Sequence, residues 1–400
     1  MNNPDGSPPA DRPLEAEPGV LLRNAGEPLK LSGVKMMGVA GESGRPGQKM
    51  KVVTKLATTS DDPFFHLCVE GLRDLLRGLA NNAGKYVDVS DYRYTLLVIH
   101  PDETADLWLD AAAVAMKAMM KRPMQRGSVV FENDIVDVTA MQFPLVKIEA
   151  TDRLLCLFRE GWRWGLYFDF NPEGNALSVG EAELALGRLH RHLKFRHLYD
   201  AMSEEALLKR LMQAGWFPFA EIIGKEFRSL VAAEAAGFDL AEPESEIFRQ
   251  FDEARLNRMY DRWKSKAHFQ PKDAILRSAL DAYNAKNWIA VCKIALSEIE
   301  GILREAYRQA TGNNAKLAAL LKFAAAAGET KAGGPDTLLF AGRFGEYLAS
   351  NTFANFDPRI DEGTAGSRHA VGHGAARAES YTQARALQAL LTLDQFAFYT

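Results

Sequence analysis

Residues 153–170 read RLLCLFREGWRWGLYFDF, and this stretch decides the fold class of the N-terminal half of the chain. The runs 153–158 and 162–170 are rich in aliphatic and aromatic residues, a composition typical of β-strands. Glu160 and Gly161 lie between the two runs and predict a hairpin turn. Together with similar short runs upstream, they predict an antiparallel meander. The upstream runs are 129–132, 135–139 and 145–149.

Helical patterns lie on both sides of these strands. Asp62 followed by Pro63 is typical of a helix start, and Ser178 with Glu181 forms a capping box. We therefore expect an α+β protein, in which a mixed N-terminal domain with a small antiparallel sheet precedes a mostly α-helical region. The expected helices are 62–83, 103–122, 178–201, 204–214, 246–267, 271–285, 288–309, 315–327, 338–350 and 381–398.

Length and composition predict how the chain is divided. With 400 residues, 47% hydrophobic and 25% charged, it is a folded protein too long for one core. The first 50 residues hold 7 of the 17 prolines and 8 glycines, so we expect a disordered tail there. The predicted division is a tail at 1–50, an α+β domain without an assigned role at 51–200, a helical connector at 201–270 and a helical domain at 271–400.

Several classes of protein are excluded by the same composition. No apolar run approaches the roughly 18 to 20 residues that cross a bilayer, and the first residues do not resemble a secretory signal. Cys68, Cys156 and Cys292 are too far apart for a disulfide framework or a zinc ribbon, so we expect a cytoplasmic protein. The net charge of −4 requires that any RNA be held by a local basic patch.

The segment 367–374, SRHAVGHG, carries the strongest chemical signal. His369 and His373 lie four residues apart and would share one face of a helical turn, with Arg368 beside them. An Arg followed by a His after four to six residues occurs four times in the chain. A polar residue directly after the Arg leaves only Arg368/His373 and Arg191/His197. A guanidinium and two imidazoles together suit a phosphodiester and the proton transfers around it.

The second of these pairs lies in 189–197, LHRHLKFRH, on an expected helix. Helical geometry places Arg191 and His197 on different sides, which argues against a shared site. The residues Arg188, Arg191 and Arg196 form either a solvated basic face above a leucine stripe or a surface that contacts the RNA backbone.

The context of Arg368 resembles a known family. The sequence 367–374, followed by the apolar final helix, is similar to the C-terminal signature of the HEPN superfamily. The stretch 287–312, NWIAVCKIALSEIEGILREAYRQATG, resembles an early helix of bacterial HEPN proteins of the abortive-infection type, in which a Glu-Gly-Ile segment recurs. The resemblance covers 271–400 and does not extend to the sheet. Ser367 stands where relatives often have Asn.

The resemblance implies a metal-independent endoribonuclease that acts as a toxin or anti-phage effector and needs no cofactor. His373 would be the general base or acid, Arg368 would stabilise the phosphorane, and His369 would orient one of them or share the proton transfers. The family also implies RNA as the substrate and a homodimer through the C-terminal helical domain. The N-terminal domain would then sense a trigger or bind a regulatory partner.

Other interpretations of the same residues remain open. Arg368 can satisfy carbonyls at a helix end, and His373 before Gly374 can be a C-terminal cap. His369 and His373 could bind Zn²⁺, but the sequence places no third ligand, and we predict no metal. The alternatives to a ribonuclease are a catalytically inactive helical scaffold and an RNA-binding regulator that uses 188–196.

Two further sets of residues have a structural and a functional interpretation. Glu298 and Glu300 could orient Arg368 or a histidine without touching RNA, or Glu300 could simply pair with Arg304 one turn away. The aromatic residues of the hairpin could stack on bases, but their spacing favours packing in the core and across strands. They are Trp162, Trp164, Tyr167, Phe168 and Phe170.

Overall fold

The computed structural model of the chain describes residues 23–170, 176–334, 336–355, 364 and 366–400. These residues form two compact units that are interleaved in the sequence. The sheet unit contains the described residues up to Lys117 and those from Val138 to Lys194. The helical unit contains Ala118–Asp137 and the described residues from Phe195 to Thr400. The predicted α+β class is confirmed.

The sheet unit is built on a six-stranded antiparallel sheet in the order β1-β6-β5-β9-β10-β4. Two smaller ladders join β2 to β3 and β7 to β8. The strands are β1 (Leu29–Leu31), β2 (Val39–Ala40), β3 (Val52–Val53), β4 (Lys55–Thr59), β5 (Tyr94–Ile99), β6 (Ala105–Leu109), β7 (Ala115–Met120), β8 (Ile135–Gln142), β9 (Arg153–Glu160) and β10 (Arg163–Asp169).

One helix covers each face of this sheet. Helix α1 (Pro63–Asn82) begins at Asp62, whose carboxylate accepts the N–H of Phe64, as the sequence predicts. Its buried residues pack with alternate residues of the strands on one face, and helix α2 (Val179–Lys194) packs on the other face. The alternating burial along the central strands is therefore what gives the sheet two apolar sides.

The predicted hairpin is confirmed, but the predicted meander is wrong. Strands β9 and β10 pair in register around a turn in which Gly161 has a φ of +62°, a left-handed conformation that favours glycine. The next neighbour of β9 is β5, which lies far upstream in the sequence, so consecutive strands do not simply follow one another. Local patterns predict a hairpin because its turn is local, whereas strand order depends on distant pairing.

Three local predictions in the N-terminal half are corrected. The expected helix 103–122 is instead β6 and β7, because pairing of β6 with β5 outweighs the helical propensity of this Ala-, Leu- and Met-rich stretch. The runs 129–132 and 145–149 are not strands. In the expected tail, residues 29–40 contain two strands and bury Leu31 and Val34 in the sheet unit. Residues 1–22 of that tail lie outside the described residues.

The helical unit has a single apolar core that extends from Leu198 to Tyr399. The expected connector 201–270 is therefore part of this unit and not a separate segment. Its helices are α3 (Arg196–Ser203), α4 (Glu205–Gln213), α5 (Lys225–Ala235), α6 (Ala241–Gln250), α7 (Glu253–Lys264), α8 (Asp273–Asn284), α9 (Trp288–Thr311), α10 (Leu317–Ala332), α11 (Ala341–Tyr347), α12 (Arg368–Gly372) and α13 (Gln383–Tyr399).

Helix α13 is buried on all sides from Ala386 to Tyr399, which explains why its sequence is apolar almost all round. It packs against α9, and both also contact α10. Among the described residues, no helix is long and apolar enough to span a membrane.

Two long helices expected from the sequence are each divided in the structure. The expected helix 178–201 is broken at Phe195 into α2 and α3, and 246–267 is broken at Phe251 into α6 and α7. Asp252 starts α7 by accepting the N–H of Arg255 at 2.8 Å. Helix α5 was not predicted. At both breaks, Phe195 and Phe251, the aromatic side chain is buried, which indicates that packing in the core divides the two helices.

The inserted segment Ala118–Asp137 is anchored within the helical unit by polar contacts. The carboxylate of Asp137 accepts the N–H of Leu338 at 3.1 Å and the hydroxyl of Thr337. Val136 joins the apolar core of this unit. The helical unit therefore includes residues that precede part of the sheet unit in the sequence.

Candidate functional site

The predicted site segment forms α12, a five-residue helix that presents its polar residues to solvent. The Ser367 hydroxyl accepts the N–H of Ala370 and donates to the carbonyl of Ala354 at 3.0 Å, so it fixes the start of the helix. Ala370 and Val371 are buried, and α12 packs against α9. Ser367 therefore serves as an effective N-terminal cap of α12.

Arg368 is held by a carboxylate of α9. One of its terminal nitrogens lies 2.9 Å from Glu300, whose other oxygen accepts from Arg304 at 2.5 Å. The side chain of Arg368 is 32% exposed and that of Glu300 is 17% exposed. Glu300 thus contacts both guanidiniums: it pairs with Arg304 one turn away and with Arg368 of α12, and a role in orienting Arg368 for chemistry stays a prediction.

The two histidines of the segment differ in exposure. His369 is half-buried, and His373 is exposed at the C-terminal end of the helix, where its N–H binds the carbonyl of His369 at 3.0 Å. Gly374 follows with a φ of +69°. His373 is therefore a C-terminal cap, as one interpretation of the sequence expects, and its imidazole still faces solvent.

Arg368 and His373 lie at opposite ends of α12. A separation of five helical positions corresponds to about 7.5 Å along the axis. Five helical positions also correspond to a rotation of about 140° around the axis, so the two side chains leave α12 in different directions. One chain offers one exposed imidazole and one guanidinium held by Glu300.

Glu298 does not belong to this arrangement. Its carboxylate lies 2.8 Å from the ammonium of Lys272. Of the two acidic residues predicted to support the site, only Glu300 contacts Arg368. The functional roles of these residues remain predictions.

The predicted RNA-binding arginines do not form one surface. Arg188 is exposed, but Arg191 is buried, with 4% of its surface exposed. Arg196 belongs to the helical unit and pairs with Asp200 at 3.0 Å. Both interpretations of this face placed Arg191 in solvent, and both are wrong at that position, because α2 is covered on more sides than its leucine stripe indicates.

The packing predicted for the aromatic residues of the hairpin is confirmed for three of them and wrong at the tip of the hairpin. Tyr167, Phe168 and Phe170 are buried, as the packing interpretation predicts. Trp162 at the β9–β10 turn is instead 76% exposed, and Trp164 is half-buried. The predicted strand begins at residue 162, but pairing with β9 begins at Arg163, so Trp162 lies outside the paired part of the strand.

The helical unit contains an additional cluster of charges, which the sequence did not reveal. A cavity of about 420 Å³ is lined mainly by charged side chains, and we call it the charged cavity. Arg255 binds the carboxylate of Glu221 at 3.0 Å and its carbonyl at 2.7 Å, and also binds Glu226 at 3.0 Å. Each of these groups is paired within the protein.

Arg262 extends this network to the last helix. It binds both oxygens of the buried Asp394, at 3.0 and 2.7 Å, and lies 2.9 Å from Glu221. The indole N–H of Trp263 donates to Asp394 at 2.8 Å. Arg262 and His268 form another of the four Arg–His pairs, in which Trp263 directly follows the arginine. His268 lies 2.7 Å from the hydroxyl of Thr400, so both residues contact α13 or its C-terminal end.

Within this network the pKa values of Lys121 and Glu221 are lowered, whereas the pKa of Asp394 is raised. Burial lowers the pKa of the Lys121 ammonium, although Glu221 opposes this. Burial would raise the pKa of Glu221, but Arg255, Arg262 and Lys121 together lower it. Burial raises the pKa of Asp394 despite the neighbouring Arg262. Lys121 also donates to the Glu221 carbonyl at 3.0 Å, so it too has a protein partner.

Within the ranges that the structure describes, no group of three or more His, Cys, Asp or Glu side chains is arranged to hold a metal ion. Cys68, Cys156 and Cys292 are free and buried, and burial raises the pKa of each thiol, to about 12 for Cys292. None of these cysteines is therefore a candidate nucleophile.

Comparison with known proteins adds no assignment, since no family model, no curated protein and no solved structure matches the chain.

Proposed function

We propose that the chain is a metal-independent endoribonuclease whose site is formed by Arg368, His369 and His373, in the manner of the HEPN superfamily that its last third resembles. The observation that carries the proposal is the ion pair between Arg368 and Glu300, together with the exposed His373 five residues after the arginine. A cation fixed by a carboxylate of another helix is preorganised for binding a phosphate.

The chemistry follows from the groups present. A neutral imidazole of His373 takes the proton of a ribose 2′-hydroxyl, and the oxygen forms a bond to phosphorus while the bond to the 5′-oxygen breaks. The leaving oxygen is protonated by an imidazolium. The products are a 2′,3′-cyclic phosphate and a free 5′-hydroxyl. Arg368 stabilises the charge that develops on the phosphoryl oxygens.

The proposal includes a homodimer. His373 is the one fully exposed imidazole in this segment, and a second is needed if base and acid are separate groups. His369 of the same chain or His373 of a second copy can supply it. In the dimer, two copies of α12 would face one RNA strand.

The test is cleavage of total RNA by the purified chain in the presence of a chelator. We expect products that end in 2′,3′-cyclic phosphate. Arg368→Ala and His373→Ala should each lower the rate by about 10² to 10⁴, because each removes a group that acts on the transition state. Urea unfolding should show that both variants keep the wild-type stability to within about 1 kcal/mol.

Glu300 and Glu298 provide a matched pair of controls. Glu300→Gln weakens the support of Arg368 and should lower the rate, whereas Glu298→Gln removes an ion pair with Lys272 and should leave the rate unchanged. Full activity in Arg368→Ala or His373→Ala would refute the assignment. A wild-type chain that binds RNA without cleaving it would instead favour the inactive scaffold or the RNA-binding regulator.

A further inference from the structure

The sheet unit contains a pocket of about 450 Å³ that no step of the proposed reaction uses. It lies among helix α1, the β9–β10 hairpin and the short helical turn Val89–Asp91. Trp162 and Trp164 form part of its wall, and Phe65 and Leu157 contribute apolar surface. We call it the tryptophan pocket. Its volume is within the range of small-molecule sites, roughly 300 to 1,000 Å³.

The aromatic wall of the pocket is unusually open to solvent. Trp162 is 76% exposed at the tip of the hairpin, and its ring is not part of a hydrophobic cluster of the sheet unit. An exposed tryptophan beside a pocket offers a large apolar surface that a ligand can cover. The backbone N–H of Trp164 donates to the Ser60 hydroxyl at 3.1 Å, which fixes the chain at this position.

An arginine guanidinium lies near the ring of each tryptophan. Arg163 lies over the ring of Trp162, with its central carbon 4.6 Å from the ring centre, and Arg159 lies 5.7 Å from the ring centre of Trp164. In the part of the chain that the structure describes, neither arginine forms an ion pair with a carboxylate. Two cations therefore stand beside the aromatic wall without a protein counter-ion.

Arg73 is the one permanently charged residue of the lining, and it is paired, since its guanidinium contacts Asp88 at 3.2 and 3.3 Å. His66 and the hydroxyls of Ser60 and Ser90 also line the pocket, and no acidic side chain is among its lining residues. The pocket thus combines flat aromatic surface with hydroxyl groups, and the unpaired Arg159 and Arg163 lie beside its two tryptophans.

We propose that the tryptophan pocket binds a nucleotide, whose base stacks on Trp162 and Trp164 and whose phosphate lies against Arg159 or Arg73. A neutral aromatic ligand would not need the unpaired arginines, and an inorganic anion would not need two tryptophans. A nucleotide accounts for the tryptophans and for the unpaired arginines, because stacking on aromatic rings and contacts to cations are the two components of single-strand nucleotide binding. This inference does not rest on the proposed ribonuclease activity.

Two sources of this chemistry are possible, a free mononucleotide and a nucleotide within an RNA strand. The four ribonucleoside 5′-monophosphates are titrated into the full chain by calorimetry, beside a 2′-O-methyl oligonucleotide of about six residues. The 2′-O-methyl group prevents cleavage through the 2′-oxygen, so binding is measured whether or not the chain is a ribonuclease. Adenosine and ribose 5-phosphate separate the contribution of the base from that of the phosphate.

We expect at least one mononucleotide or the oligonucleotide to bind with a Kd below about 1 mM, and more tightly than the nucleoside or the sugar phosphate alone. Trp162→Ala should weaken binding by about 10-fold, and Arg159→Gln by a similar factor. Tighter binding of the oligonucleotide assigns the pocket to an RNA strand, and equal affinities assign it to a free nucleotide.

Matched controls exist in the same unit. Tyr86 is 75% exposed and does not line the pocket, so Tyr86→Ala should bind as the wild type does. Arg93 pairs with Glu160 at 2.8 Å, so Arg93→Gln should also leave binding unchanged. The proposal is overturned if no nucleotide or oligonucleotide binds at about 1 mM, or if Trp162→Ala binds as tightly as Tyr86→Ala.

Discussion

The charged cavity of the helical unit and the tryptophan pocket of the sheet unit have similar volumes, about 420 and 450 Å³, but they differ in how charge is compensated. In the charged cavity, Arg255 and Arg262 are each bound by two carboxylates of the protein. Arg73, which lines the tryptophan pocket, pairs with Asp88, but Arg159 and Arg163 beside the pocket lie near its tryptophan rings and have no carboxylate partner among the described residues.

The difference separates a structural role from a binding role. Buried charges that satisfy each other hold elements together, and removing one partner leaves the other unpaired. Charges without a protein partner beside an open aromatic surface gain most when a ligand arrives. The number of arginines around a cavity is therefore a poor guide to ligand binding, and their partners are a better one.

The largest expected effect is on the charged cavity. Asp394→Ala removes the carboxylate that binds Arg262 and the indole of Trp263, and leaves both donors buried. We expect a loss of about 3 to 5 kcal/mol in the free energy of unfolding, measured by urea denaturation. Asp261→Ala is the control, because its exposed pair with Lys264 should contribute less than about 1 kcal/mol. A loss below about 1 kcal/mol in Asp394→Ala would show that the paired charges of the charged cavity do not stabilise the fold.

A loss of stability of intermediate size is expected at acidic pH. It arises from buried histidines and not from ion pairs. Burial lowers the pKa of His190 to about 4, although Glu160 opposes this. A histidine that is neutral when folded stabilises the protein fully above its unfolded pKa of about 6.5, and this stability is lost as the pH falls toward 4. His197 and His268 in the helical unit are shifted in the same direction by burial, also to about 4.

Between pH 7 and pH 5, His190 should account for a loss of about 1 to 2 kcal/mol in the free energy of unfolding. His190→Gln should flatten the pH dependence by that amount, and His66→Gln, at an exposed position, should not. An unchanged slope in His190→Gln would attribute the acid sensitivity to the ion pairs.

The smallest effect is expected for the stability of the tryptophan pocket. Trp162→Ala removes a mostly exposed ring and should change the free energy of unfolding by less than about 0.5 kcal/mol in the same urea experiment. The variant should lose nucleotide affinity without losing stability, which is the reverse of Asp394→Ala. If Trp162→Ala were destabilised by more than about 2 kcal/mol, the ring would be a packing residue and the contrast between the two cavities would fail.

Local sequence signals predicted the parts of the fold that depend on neighbouring residues. The start of α1 at Asp62, the β9–β10 hairpin and the cap at Ser178 agree with the structure, since each depends on residues within a few positions. The stretch 103–122 was misassigned because β6 pairs with β1 and β5, and β7 pairs with β8, partners that its own composition does not reveal. Strand order and the breaks at Phe195 and Phe251 likewise depend on packing.

The candidate site shows the same limit. Ser367, Arg368, His369 and His373 lie together in the sequence, and the spacing of the two histidines is that of a helical turn, but neither the helix α12 nor the exposure of its residues was predicted. The contact of Arg368 with Glu300 was one of two interpretations that the sequence left open. The charged cavity gave no signal, because Arg262 meets Asp394 across 132 positions and Lys121 across 141. Pairs that are so far apart become visible only when the helices pack.

The inserted segment Ala118–Asp137 has a consequence for how the two units can be exchanged between genes. Lys121, Val136 and Asp137 belong to the helical unit, yet they are encoded ahead of β9, β10 and α2. A single crossover at residues 194 and 195 would transfer the helices while leaving behind the groups that bind Glu221 and Leu338. The chain can therefore be recombined as a whole, or at two junctions together, but not as a head and a tail.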